Sequence, residues 1–176
     1  MSDLASAYFQ RGRYFHLVVM FEVAVINVVV DYHTPAELRV PPHDSERFAE
    51  LRAHVVTKKF DTFGKKLKEL ARICEEYKVD YPADWFDQIR RDRNRFAHEL
   101  LQCEPSADPA VKWIFTRYGA DTQKDWMWRF GDDTMAAMHN RVAEASDEMM
   151  RISRELYDAG GVRVDFAIAY YMHKAR

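Results

Sequence analysis

The stretch "DWFDQIRRDRNRFAHEL" (84–100) decides how this chain folds. On a wheel of 3.6 residues per turn, Trp85, Phe86, Ile89, Phe96 and Leu100 fall in one stripe. Apolar residues at that spacing form the inward face of a helix packed against others. Arg90, Asn94 and His98, spaced at four, form a second, polar stripe on the far side. Arg93 falls at the edge of the apolar stripe. Its stem packs there while its guanidinium reaches outward and needs a partner. Arg91, Asp92 and Arg95 read as the solvated charges of a surface helix.

The same periodicity extends outward from this helix. "DYPADW" (80–85) starts it, with Pro82 or Ala83 in the first turn, and its end lies near Leu101 or Cys103. Upstream, "FDTFGKKLKELARICEEYKVD" (60–80) predicts another helix, with Thr62 as a candidate cap and Leu67, Leu70, Ile73 and Tyr77 at helical spacing. "VPPHDSE" (40–46) is a linker whose Asp44 or Ser45 caps a helix running to about Lys59. The first element spans about Leu4 to Tyr32 and ends at "HTPAE" (33–37), because Pro35 disfavours helix in the residue before it. Its most apolar part, "LVVMFEVAVINVVV" (17–30), contains Glu22 and Asn27 and is shorter than the roughly 20 residues a membrane span needs. We read it as a buried helix of a protein with no membrane association.

Downstream, "EPSADP" (104–109) breaks the helical pattern. In "VKWIFTRYGADTQKDWMWRF" (111–130), Trp113 and Phe115 alternate on one arm and Trp126, Trp128 and Phe130 on the other, as in a β-hairpin. A last helix runs from about Asp133 to Ala159 and is stopped by Gly160–Gly161. Val162, Val164, Phe166 and Ile168 alternate as in a strand, although a short helix fits that segment nearly as well. The expected fold is a single all-α domain over 1–176: an up-and-down bundle of about four to five helices with a small β-hairpin insertion around 111–130.

Composition narrows the function. With 176 residues, 48% hydrophobic and 31% charged, the chain is long enough for one real core. A net charge of −2 argues against non-specific coating of nucleic acid but leaves room for a local basic patch. Two cysteines, Cys74 and Cys103, make no disulfide framework or thiolate metal site, and they suit a reducing cytoplasm. The N-terminus has no signal-peptide pattern. No HExxH occurs, and His33, His43, His54, His139 and His173 are scattered without ligand spacing, so neither a metal nor another cofactor is expected.

"RNRFAH" (93–98) fits the R-x4-H pattern of the HEPN superfamily of helical bundles, with Arg93 and His98 at the motif positions and the polar Asn94 directly after the arginine. The approach through 60–92, a helix, a short break and then the motif helix, is also similar to that family. The resemblance implies a homodimer of helical bundles that cuts RNA without metal, using the arginine and histidine of both chains. It implies a toxin or defence role, with an antitoxin protein among the partners. Other members are inactive bundles that bind nucleotides or proteins, which is the alternative function. The chain departs from a toxin subgroup that carries tyrosine two residues after the histidine, because Leu100 stands there.

The chemistry agrees with those residue types. In metal-free RNA cleavage the 2′-hydroxyl attacks the adjacent phosphate, which takes a base, an acid and positive charge on the developing phosphorane. Histidine titrates near neutrality and fills either proton role. Arginine presents a planar fork of donors to phosphate oxygens. One chain supplies one such histidine, whereas a two-fold dimer supplies two. The expected catalytic set is Arg93, Asn94 and His98, with Arg90, Arg91 and Arg95 on the RNA backbone. Glu22, a carboxylate inside an apolar run, is expected to support the site structurally by pairing with an arginine of the motif helix. Base stacking by Trp113, Trp126 and Trp128 is the less favoured reading of the hairpin, whose rings more simply cover the bundle.

Overall fold

The computed structural model describes residues 3–35, 46–98, 113–116 and 127–163. It is an all-α helical bundle of five α-helices among the described residues: α1 (Asp3–His33), α2 (Glu46–Ala53), α3 (Phe63–Tyr77), α4 (Ala83–His98) and α5 (Asp132–Asp158). Between α4 and α5, β1 (Trp113–Thr116) and β2 (Met127–Phe130) pair antiparallel, with Trp113 opposite Phe130 and Phe115 opposite Trp128. The expected hairpin pairing is therefore present, while the side chains of its aromatic residues lie outside the described set. So do the linker 40–45, the end of the motif helix beyond His98, Cys103 and the segment from Val164 to the C-terminus.

Local chemistry accounts for the helix boundaries. The Thr62 hydroxyl accepts from the Lys65 backbone N–H at 3.2 Å and caps α3 as its sequence suggested. The far end of α3 turns at Lys78, whose φ of 59° is left-handed, so that the Val79 N–H reaches the Cys74 carbonyl at 2.9 Å. Gly160 does the same for α5 at φ 78°, and there the absence of a Cβ makes the turn free of strain. A departure from expectation lies after α2. Residues His54–Lys59 continue as a π-helix, and the Phe60 N–H closes on the Val55 carbonyl at 2.9 Å.

The chain packs as two compact units. The first comprises residues 1–19 and 88–144, the second 20–87 and 145–176, so α1, α4 and α5 each supply residues to both.

Among the described residues, most of the buried apolar side chains belong to the second unit. Phe21 lies 4.9 Å from Phe86 and 5.9 Å from Phe63, ring centre to ring centre and edge to face, which joins α1, α4 and α3. Leu70, Ile73, Met149, Ile152 and Leu156 of the same unit are fully buried. The Glu22 carboxylate, expected on a motif-helix arginine, instead accepts from Lys66 of α3 at 2.8 Å. A half-buried carboxylate did need a cation, but residue spacing does not say which neighbouring helix supplies it. Burial along 17–27 is one-sided, and it closes round the helix at Val28–Val30. Val18, Phe21, Val25 and Val28 are buried, whereas Val19, Met20 and Val23 are exposed. By length and composition alone α1 is apolar enough to cross a membrane, a test that core helices also pass.

Candidate functional site

The motif helix carries its expected apolar face. Phe86, Ile89 and Phe96 are buried, while Arg90, Arg93 and Asn94 are half-buried and Arg91 and Arg95 exposed. The partner that Arg93 needed is its neighbour: Arg93 Nη1 donates to Asn94 Oδ1 at 3.2 Å. This bond ties the motif arginine to the residue that the sequence placed beside it. The helix is continuous through His98, so position 98 lies one turn beyond position 94 on the same face. The His98 side chain and Leu100 lie outside the described set.

Asp92 is the main correction. Read as a solvated surface charge, it is 7% exposed. Its Oδ2 accepts from Arg141 Nη1 of α5 at 3.0 Å, its Oδ1 from Gln88 at 2.8 Å, and Arg95 Nη1 stands 3.9 Å from Oδ1. Burial raises the Asp92 carboxyl above the usual carboxylate range, against the hydrogen bond from Gln88 and the charges of Arg141 and Arg95. On the wheel, position 92 lies beside Trp85 and Phe96, at the margin of the apolar stripe. That margin was the available signal, and only a cation from a distant helix makes burial tolerable there.

Other residues that the sequence did not single out surround the motif turn within this unit. Arg11 of α1 donates from Nη2 to the Phe96 carbonyl at 2.6 Å and lies over the Phe15 ring. Tyr14 is buried, with its ring 5.1 Å from Phe96 and 6.3 Å from His139. Its hydroxyl finds no hydrogen-bond partner among the described residues, and burial first, then the Asp92 charge, raises its pKa. Such a phenol stays neutral. His139 Nε2 meets the Gln10 carbonyl at 3.2 Å, so this nitrogen carries the proton, and burial lowers the pKa of the ring.

In the second unit His33 bridges Glu69 at 2.8 Å and Lys59 at 3.4 Å. Burial lowers the His33 pKa despite the Glu69 hydrogen bond. Among the described residues no three His, Cys, Asp or Glu side chains gather in a way that holds a metal ion.

The two lowered histidine pKa values carry a pH dependence. The unfolded chain binds these protons more readily than the folded one, so the contribution is complete above the ordinary histidine value of about 6.5 and shrinks as pH falls through it. Asp92 has the opposite sign, because its raised pKa makes ionisation unfavourable to folding, and that penalty is relieved only as pH falls through its folded value. Urea unfolding at pH 7.5 and pH 6.0 is therefore expected to show a lower midpoint at pH 6.0, with a smaller difference in His139→Gln. A midpoint that rises on acidification contradicts the lowered pKa values of the two rings.

No family model, curated protein or solved structure matches this chain.

Proposed function

We propose that the chain is a metal-independent endoribonuclease of the HEPN type, acting as a toxin or defence effector, with a composite site formed by two copies of α4. The observation that carries this reading is the Arg93–Asn94 pair on a continuous helix, bonded at 3.2 Å, with His98 one turn further along. An arginine fork held by an amide neighbour is preorganised for a phosphorane, and a histidine on the same face as the amide is a proton carrier at neutral pH. RNA is the substrate, and a second copy of the chain supplies the second histidine.

The test is incubation of the purified protein with total RNA in excess chelator, beside His98→Ala. Cleavage is expected to persist with chelator, to leave 2′,3′-cyclic phosphate ends, and to vanish in His98→Ala. Light scattering of the active protein is expected to give about twice 20.8 kDa. Activity that chelator abolishes and magnesium restores overturns the mechanism. An absence of cleavage under all conditions assigns the chain to the alternative, a silent bundle that binds a nucleotide or a protein.

A further inference from the structure

Among the described residues six large apolar side chains are well exposed, and five of them lie on α1: Tyr8 50%, Phe9 62%, Val19 52%, Met20 41% and Val23 38%. α1 is one continuous helix. On its wheel Phe9, Gly12, His16, Val19, Met20 and Val23 fall within an arc of about 100°, with Tyr8 at the margin. The buried residues Ala7, Tyr14, Val18, Phe21 and Val25 centre on the opposite side. This stretch of helix therefore carries two apolar faces, one in the core and one towards solvent.

Gly12 has no explanation within the chain. Glycine is a poor residue for a helix interior. Its φ is not left-handed, and a Cβ built there meets nothing within 4 Å. Neither turn geometry nor close packing inside the chain calls for it. A second helix lying along this face would use the gap. A lipid surface would not, since a missing side chain offers it no apolar area.

The spacing suits a copy of the same helix. Phe9, Gly12, His16, Val19 and Val23 step by three and four in turn, the repeat of helices that pack side by side. Set antiparallel about His16, two such seams pair position 9 with 23 and position 12 with 20. A bulky ring then meets a small side chain, and a flexible thioether fills the glycine gap. A parallel match sets ring on ring and glycine on glycine. Two of these faces bury roughly 1,000 Å² in total, at the lower limit of a specific interface.

We propose that the solvent face of α1 from Phe9 to Val23 pairs antiparallel with the same face of a second copy of this chain, Gly12 receiving the partner's Met20. The proposal goes beyond the composite site. That reading needs a second copy, and α1 offers it a surface that involves neither RNA nor the motif residues.

Association is measured by sedimentation velocity on the full chain without RNA, and a micromolar dissociation constant is expected. Phe9→Lys is expected to weaken association more than about fiftyfold, and Tyr157→Lys, the same charge change at an exposed residue of α5, less than about twofold. If Phe9→Lys does not fold, Val19→Lys carries the same comparison. Mixing Phe9→Lys with Val23→Glu is expected to restore a mixed dimer, because antiparallel pairing sets lysine against glutamate. Gly12→Ala is expected to weaken association at least about fivefold while raising the melting midpoint of the dilute, monomeric protein by about 2–4 °C. A glycine that only faces solvent gives the second effect without the first.

A wild-type chain that stays monomeric at about 100 μM overturns the proposal, and its co-sedimentation with anionic vesicles then assigns the face to lipid. A dimer unchanged by Phe9→Lys overturns the seam and leaves the composite site standing, since the copies then meet elsewhere. Equal losses in Phe9→Lys and Tyr157→Lys overturn it too, because net charge then explains them. No rescue on mixing overturns the antiparallel register, and Gly12→Ala without loss of association overturns the role of the gap. RNA cleavage is scored separately on the same samples: a seam dimer that does not cut keeps the seam and removes the nuclease.

Discussion

Arg93→Lys is expected to lower RNA turnover on the order of a hundredfold or more, comparable to removing one oxyanion donor, with little change in substrate affinity. A lysine keeps the positive charge and loses the planar fork. It also loses the geometry through which Arg93 Nη1 reaches Asn94 Oδ1 at 3.2 Å. An interaction made mainly in the transition state appears in turnover rather than in ground-state binding. His98→Ala is expected to be as inactive while remaining folded, since position 98 lies away from the apolar stripe. The measurement is single-turnover cleavage of a defined RNA, with thermal unfolding recorded on the same samples. Suppose Arg93→Lys unfolds the protein while His98→Ala alters neither folding nor cleavage. The arginine is then a structural residue, and the nuclease reading fails.

Phe86→Ala is expected to cost about 3–5 kcal/mol, the usual range for truncating a fully buried aromatic ring. Phe86 is fully buried and sits 4.9 Å from Phe21 and 5.3 Å from Tyr81, so removing it empties the junction of α1, α4 and the turn before α4. For a chain of this length the midpoint of thermal unfolding falls on the order of 10 °C. Trp85→Ala, at the half-buried neighbouring position, is expected to cost clearly less. Circular dichroism melts of both variants check the order. A Phe86→Ala loss below about 1 kcal/mol would place the start of α4 outside the core, against the full burial of this ring.

The two expectations differ in how far the sequence carries them. Phe86, Ile89 and Phe96 are legible because an amphipathic helix repeats its inward face every three or four residues, and Thr62 because a cap is a local bond. Asp92 and Glu22 are not legible to the same degree. Each sits where burial is decided by a cation elsewhere in the chain, Arg141 in one case and Lys66 in the other. Periodicity reports which face is inward and is silent about which helix stands opposite. The one-sided exposure of Val19, Met20 and Val23 has the same origin, since a run of valines looks equally apolar all round. Arg11 on the Phe96 carbonyl and His139 on the Gln10 carbonyl are side chain to backbone contacts between distant segments, and they leave no pattern in the sequence.

The π-turn after α2 bears on how the chain tolerates the loss of a residue. Val55 and Phe60 are both buried and five positions apart, a spacing that an α-helix turns to different sides and that the wider turn brings together. Deleting one residue between them shortens the spacing to four, which an ordinary α-turn satisfies with both side chains still inward. The same deletion within α3 rotates every later residue by about 100° and takes Leu70 and Ile73 out of the core. His54–Lys59 is therefore where this helical chain absorbs a change of length that would be ruinous a few residues downstream.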